Sequence, residues 1–141
     1  MDKPFTQSFS IQGKNYFEAG RAATEIKMML RQLGIDPAIV RRVSIATYEA
    51  EMNVVMYAEE ATLTVEVSPR KVKILVNDRG PGIPDVELAM QEGYSTATAE
   101  MREMGFGAGM GLPNIKKNSD ELKITSTVSK GTTLEITINI N

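Results

Sequence analysis

The sequence predicts an α+β two-layer sandwich, a mainly antiparallel sheet with its helices on one face. Two pairs of strand-like segments are each joined by a very short turn, Pro69-Arg70 and Ser129-Lys130-Gly131. Such turns impose antiparallel pairing. The two long helical patterns follow one another with no strand between them, so they group together rather than alternate with strands. The 141 residues are one domain's worth, and at 42% hydrophobic and 24% charged they supply one sizeable core.

Each element follows from local pattern. Residues 5–12 (FTQSFSIQ) partly alternate apolar and polar, a short strand. A helical repeat then runs from about Tyr16 to Leu33, with an apolar stripe of Phe17, Ala22, Ile26, Met29, Leu30 and Leu33. Gly34 is a plausible stop. Asp36-Pro37 reads as an N-cap followed by proline at the first helical position. The second helix continues to about Ala58 on a stripe of Ile39, Val43, Ala46, Ala50 and Val54. Residues 61–68 and 71–77 form the first hairpin. Asp78 to Pro84 (DRGPGIP) reads as a turn, and Asp85 to Gln91 as a short helix. Residues 92–109, rich in Gly, Ser and Thr, read as a long mobile loop. A helix from about Met110 to Asn118 precedes strands 121–128 and 132–140.

Composition removes several chemistries. The chain has no cysteine, hence no disulfide, thiol nucleophile or thiolate metal site. It has no histidine, which excludes the Ser-His-Asp triad, a His-ligated zinc and a phosphohistidine. Catalysis must run on carboxylates, amides, Lys/Arg, hydroxyls or an oxygen-ligated metal. A net charge of −2 argues against a dedicated nucleic-acid binder. No apolar run approaches the roughly 18 residues of a membrane span. MDKPFTQSFS lacks the apolar centre of a secretory signal, so the expected location is cytoplasmic. The nine methionines are read as core filler. Charge is uneven: residues 1–45 carry seven basic and four acidic side chains, residues 46–100 four and ten. The basic excess is either a solvated helix face or a docking surface for an acidic protein.

Three motifs carry the chemistry. Glu49 and Asn53 are four apart on the second helix and so share a face. They are either a solvated polar pair or a general base beside an amide ligand for Mg2+. Asp78-Arg79-Gly80-Pro81-Gly82-Ile83 follows a strand. It is either an ordinary Gly/Pro turn or a carboxylate acceptor for an exocyclic amine, with glycines allowing close approach. Gly105-Phe106-Gly107-Ala108-Gly109-Met110-Gly111-Leu112 opens a helix with four alternating glycines. It is either a flexible tip or an anion cradle of main-chain N–H groups. It matches neither the Walker pattern nor the dinucleotide fingerprint.

Together, in this order and with Gly131-Thr132 between the last strands, these segments resemble the GHKL (Bergerat-fold) nucleotide-binding superfamily of gyrase, chaperone, histidine-kinase and mismatch-repair ATPases. The resemblance covers roughly residues 10–140. The run GMGLPNIKKNSDELKITSTVSKGTTLEI is most similar to the anti-sigma factor serine/threonine kinases and their stress-signalling relatives. The resemblance implies one kinase domain over residues 1–141, with ATP and Mg2+ as ligands. It implies Mg2+ binding at Asn53, a general base at Glu49, and the adenine amine on Asp78. Gly80 and Gly82 would shape the adenine pocket, Gly107, Ala108, Gly109, Met110 and Gly111 would meet the phosphates, and Thr132 would support the adenine site. Residues from about 85 to 107 would be an ATP lid. Tyr57 stands where many anti-sigma kinases have histidine, which is more similar to the switch kinases, although the segment between Tyr94 and Gly107 is longer than theirs. The implied partner is a small anti-sigma antagonist (STAS-like), with a sigma factor, a phosphatase or a second copy of the chain as further partners. The competing readings are a non-catalytic ATP-sensing switch and an ATPase subunit of a larger machine.

Overall fold

Period-two alternation in the strands and an apolar stripe on each long helix sort the side chains into two layers. A computed structural model describes residues 4–91 and 111–140. The order is β1 (Phe5–Gln12), α1 (Arg21–Gln32), α2 (Pro37–Tyr57), β2 (Glu60–Val67), β3 (Lys71–Arg79), α3 (Val86–Ala89), α4 (Gly111–Lys117), β4 (Glu121–Thr127) and β5 (Gly131–Asn139). The strands make one five-stranded sheet, β1-β2-β3-β5-β4, antiparallel at every step. The expected α+β architecture is the observed one.

The core lies between the sheet and the helices. Leu63 and Val65 of β2, Val72, Ile74 and Val76 of β3, and Ile136 and Ile138 of β5 are buried on the inner face. Ile26 and Leu30 of α1, Val43, Ala46, Ala50 and Val54 of α2, and Ile115 of α4 cover them. α2 is the central helix, packed on α1, α4 and four strands. Its start is the one expected: Asp36 accepts the Ala38 N–H at 2.8 Å, with Pro37 at the first position.

Two expectations fail at element ends. α1 starts at Arg21, not near Tyr16, and Phe17 is fully exposed instead of lining the core. Gly20 adopts φ +94°, which breaks helical continuity, and residues 13–20 instead follow turns pinned by Lys14 N–H to Val55 O at 2.7 Å. Leu33, at the end of the expected stripe, is also exposed. Asp78 and Arg79 belong to β3 rather than to the turn after it, paired with Ala61 and Glu60 of β2. The turn begins at Gly80. The short helix expected over residues 85–91 is α3, capped by the Asp85 carboxylate on the Leu88 N–H at 3.0 Å. The expected loop 92–109, with Gly107, Ala108 and Gly109, and the expected helix start Met110 lie outside the described residues. Of the expected lid, only residues 85–91 lie inside them.

Candidate functional site

One cluster forms where β3 ends beside the start of β5. The inward alternation Val72, Ile74, Val76 continues to Asp78, so a carboxylate occupies the next core-facing position. Asp78 Oδ1 accepts the Thr132 main-chain N–H at 3.0 Å. Burial pushes the Asp78 carboxyl above its ordinary range, and the bond from Thr132 opposes that shift. The Thr132 hydroxyl lies 2.8 Å from that of Ser126 on β4. Ser126 Oγ also accepts the Ile83 N–H at 2.7 Å, tying the turn after β3 to β4. Gly80 donates its N–H to Lys130 O at 3.1 Å. A side chain at Gly80 would come within 3.0 Å of Ala58 Cα, and one at Gly131 would run into the Asp78 carbonyl. Gly82 holds φ +75°, a conformation that favours glycine, with the Thr127 carbonyl against it.

A second cluster forms where α2 meets α4. Glu49 and Asn53, half-buried and one turn apart, both face Gly111, the first residue of α4. A β-carbon on Gly111 would stand 3.1 Å from Asn53 Oδ1 and 3.5 Å from Glu49 Oε2. Glycine therefore lets the α4 main chain approach both polar groups. The Asn114 side chain, one turn further along α4, hydrogen-bonds the Glu49 carboxylate. Burial raises the Glu49 carboxyl above its ordinary range, and the Asn114 bond works against that rise.

α2 joins the clusters. Its C-cap, Ala58, touches Gly80, and Asn53 precedes it by five residues, about 7.5 Å along the axis at about 1.5 Å per residue. An acceptor carboxylate thus stands near one level of α2 and a pair of oxygen-bearing side chains at another. Asn53 Oδ1 and the Glu49 carboxylate are hard oxygen donors, the type Mg2+ takes. Among the described residues no group of three or more acidic side chains forms a metal cage. Mg2+ commonly draws most of its ligands from phosphate and water. Gly111 supplies the room that such a group needs.

Of the residues expected in the site, Asp78, Gly80, Gly82 and Thr132 meet in the first cluster, and Glu49, Asn53 and Gly111 in the second. Gly107, Ala108, Gly109 and Met110 lie outside the described residues. Two participants, Asn114 and Ser126, are not among the residues the sequence marks. Asn114 carried a usable signal, its one-turn spacing from Gly111. Ser126 carried none, being one hydroxyl in a Ser/Thr-rich strand. Glu51, 2% exposed, is on the other side of α2 from Glu49 and Asn53. Its carboxylate accepts the N–H groups of Gly20, Ala22 and Ala23 at 3.0, 3.2 and 2.9 Å and so caps α1 from across the helix pair. Among the described residues no helix is long and apolar enough to cross a membrane.

Residues 17–138 match the family model described as a histidine kinase-like ATPase domain. The serine/threonine-protein kinase RsbT of Bacillus subtilis is 30% identical over 109 residues, which span 74% of this chain and 76% of the relative. An anti-sigma F factor of Caldanaerobacter subterraneus is 36% identical over 110 residues, 73% of each chain. Among solved structures, the RsbU and RsbW domains of Rv1364c from Mycobacterium tuberculosis superpose with a TM-score of 0.60 at 17% identity. That match covers 94% of this chain and 32% of the other. The catalytic domain of histidine kinase ThkA superposes with a TM-score of 0.56 at 18% identity, covering 96% of this chain and 95% of that one. The structural likenesses carry the fold, and the family model and the closer sequences carry the kinship: the chain belongs to the histidine kinase-like ATPase domain family.

Proposed function

We propose that the chain is an ATP-dependent serine/threonine protein kinase of the anti-sigma type. In this reading it acts in the cytoplasm on a hydroxyl of a small anti-sigma antagonist with a STAS-like fold. The observation that carries the reading is Glu49 and Asn53 on one face of α2, both against Gly111 at the start of α4. The similarity to a serine/threonine-protein kinase and to anti-sigma factors supports it.

The ionised Asp78 carboxylate accepts a hydrogen bond from the adenine amine, beside Thr132. Gly80 and Gly82 bound that pocket. The resemblance would give the phosphates to main-chain N–H groups of Gly107, Ala108, Gly109, Met110 and Gly111, and the lid to about residues 85–107. Asn53 Oδ1 would hold Mg2+, which would offset negative charge on the phosphates. Glu49 accepts the proton of the partner's Ser or Thr hydroxyl. That oxygen forms a bond to the γ-phosphorus, the bridging P–O bond breaks, and ADP leaves with the electron pair. Burial of Glu49 suits it to this task, since a raised carboxyl pKa makes a stronger base. The contribution otherwise is positioning and charge stabilisation, as in phosphoryl transfer generally.

The test is Glu49→Gln with purified partner and labelled ATP. Transfer should fall by about 10²–10⁴-fold, the usual contribution of general-base catalysis, while ATP binding persists. Undiminished transfer would refute the role of Glu49. Nucleotide-dependent partner binding with no transfer by the unaltered chain would favour an ATP-sensing switch.

A further inference from the structure

Asn114 belongs to none of the motifs that mark the candidate site, yet its side chain hydrogen-bonds the Glu49 carboxylate. The packing of α4 puts it there. Leu112, Pro113 and Ile115 are buried, and Asn114 between them is half-buried. Three buried neighbours fix the rotation of this seven-residue helix, so that Asn114 meets α2. The far end of α4 is held too, because the Asn118 side-chain amide donates to Asn114 O at 2.8 Å. One turn before Asn114, Gly111 lets α4 close on α2, where a β-carbon would stand 3.5 Å from Glu49 Oε2. The amide is therefore carried on a packed element rather than on a loop.

An ionised carboxylate only accepts hydrogen bonds, whereas an asparagine amide has two N–H donors. The bond thus runs from the Asn114 amide to a Glu49 oxygen. It has two consequences. The last torsion of a glutamate is broad, so an unheld carboxylate presents its oxygens over a range of directions. A donor on one oxygen narrows that range and leaves the other lone pairs for an incoming hydroxyl. The bond also favours the ionised form, the form a base needs, against the burial that opposes it. Burial and the Asn114 bond are what acts on this ionisation among the described residues, and the other neighbours, Asn53 and Gly111, carry no charge.

We propose that Asn114 is a positioning residue for phosphoryl transfer: from α4 it aims the Glu49 carboxylate at the partner's hydroxyl and keeps it ready to take the proton. The proposal rests on the reading of Glu49 as general base. Gly111, which starts α4, also ends the glycine run, so the base is tied to the helix that follows that run.

The experiment measures transfer from labelled ATP to the purified partner across pH. It compares the unaltered chain, Asn114→Ala, Asn114→Asp, Glu49→Gln and the double variant Glu49→Gln/Asn114→Ala. Asn114→Ala should lower kcat about 10- to 100-fold, the scale of a misplaced catalytic group, with Mg-ATP affinity kept within about twofold. Its acid limb should move to higher pH, because the ionised base has lost its donor. Asn114→Asp keeps the shape, and the chain should still fold should Asn114→Ala fail to. It replaces the donor by a like charge, so it should lose at least as much activity and move the limb further. The double variant should be no slower than Glu49→Gln alone, since Asn114 acts through Glu49. A merely structural Asn114 predicts near-full activity in Asn114→Asp, an unmoved acid limb in Asn114→Ala, or losses that add in the double variant. Any of these, with Glu49→Gln inactive, overturns the proposal and leaves the base reading standing. Undiminished transfer in Glu49→Gln, or no transfer by the unaltered chain, would overturn that reading and the proposal with it.

Discussion

Glu49 and Asp78 show what a half-buried carboxylate costs and what it offers. Burial raises both carboxyl groups above the ordinary values of 4.5 and 3.8, so the folded chain binds more protons than the unfolded chain just above those values. By linkage, stability falls as pH rises through that window, and the deficit persists at neutral pH. Glu49→Gln and Asp78→Asn keep the shape and remove the charge. Each should raise the melting temperature at neutral pH and lose that gain as pH falls through the window. Thermal melts across pH check this, and a lower melting temperature at neutral pH in both variants would contradict it. The same sign governs activity: transfer should decline on the acid side as Glu49 takes up its proton. These two carboxylates were legible in the sequence from their motifs, Glu49 four residues before Asn53 on one helix face, and Asp78 between a strand and the Gly80-Pro81-Gly82 turn. Ser126 was not legible, because its importance comes from partners 43 residues before it and six after it in sequence.

The elements were read most reliably where their ends are set locally. Asp36 and Pro37 start α2, and the Pro69-Arg70 turn closes the first hairpin, with the Ser68 N–H on Lys71 O at 3.0 Å. The start of α1 was misread because its cap is tertiary. Gly20 has no side chain to offer, and the carboxylate of Glu51, some 30 residues away, serves in its place. Charged acceptors of several N–H groups contribute more than neutral caps. Glu51→Ala should therefore cost about 2–4 kcal/mol in urea unfolding. A loss of only a few tenths would show that α1 holds its position without the cap. One turn before Glu51, the buried Thr47 hydroxyl has no hydrogen-bond partner among the described residues. Thr47→Val keeps the shape and removes the unpaired group, so it should stabilise the chain by about 1 kcal/mol. A loss of similar size would mean that the hydroxyl finds a partner in solution.

At the scale of the molecule, the strand order decides what meets what. Hairpins between neighbours in sequence were predictable, but β5 inserting between β3 and β4 was not. That insertion places Thr132 beside Asp78, and it is why the last Gly-Thr pair joins a motif more than 50 residues earlier. The long central helix does the rest. It carries Glu49 and Asn53 at one level and reaches Gly80 through Ala58 at another, so one rigid element sets the spacing between the two clusters. The sequence order of the motifs was sufficient to identify the superfamily, whereas their convergence required the sheet.

In the proposed function Asp78 and Asn53 hold the two ends of one Mg-ATP. Calorimetric titration of ATP, with and without Mg2+, into the unaltered chain, Asn53→Ala and Asp78→Ala tests it most directly. Binding should strengthen with Mg2+ in the unaltered chain. Asn53→Ala should lose that Mg2+ dependence, and Asp78→Ala should weaken ATP by about tenfold or more, as expected for a hydrogen bond to a charged group. Affinity and Mg2+ dependence unchanged in both variants would contradict the account.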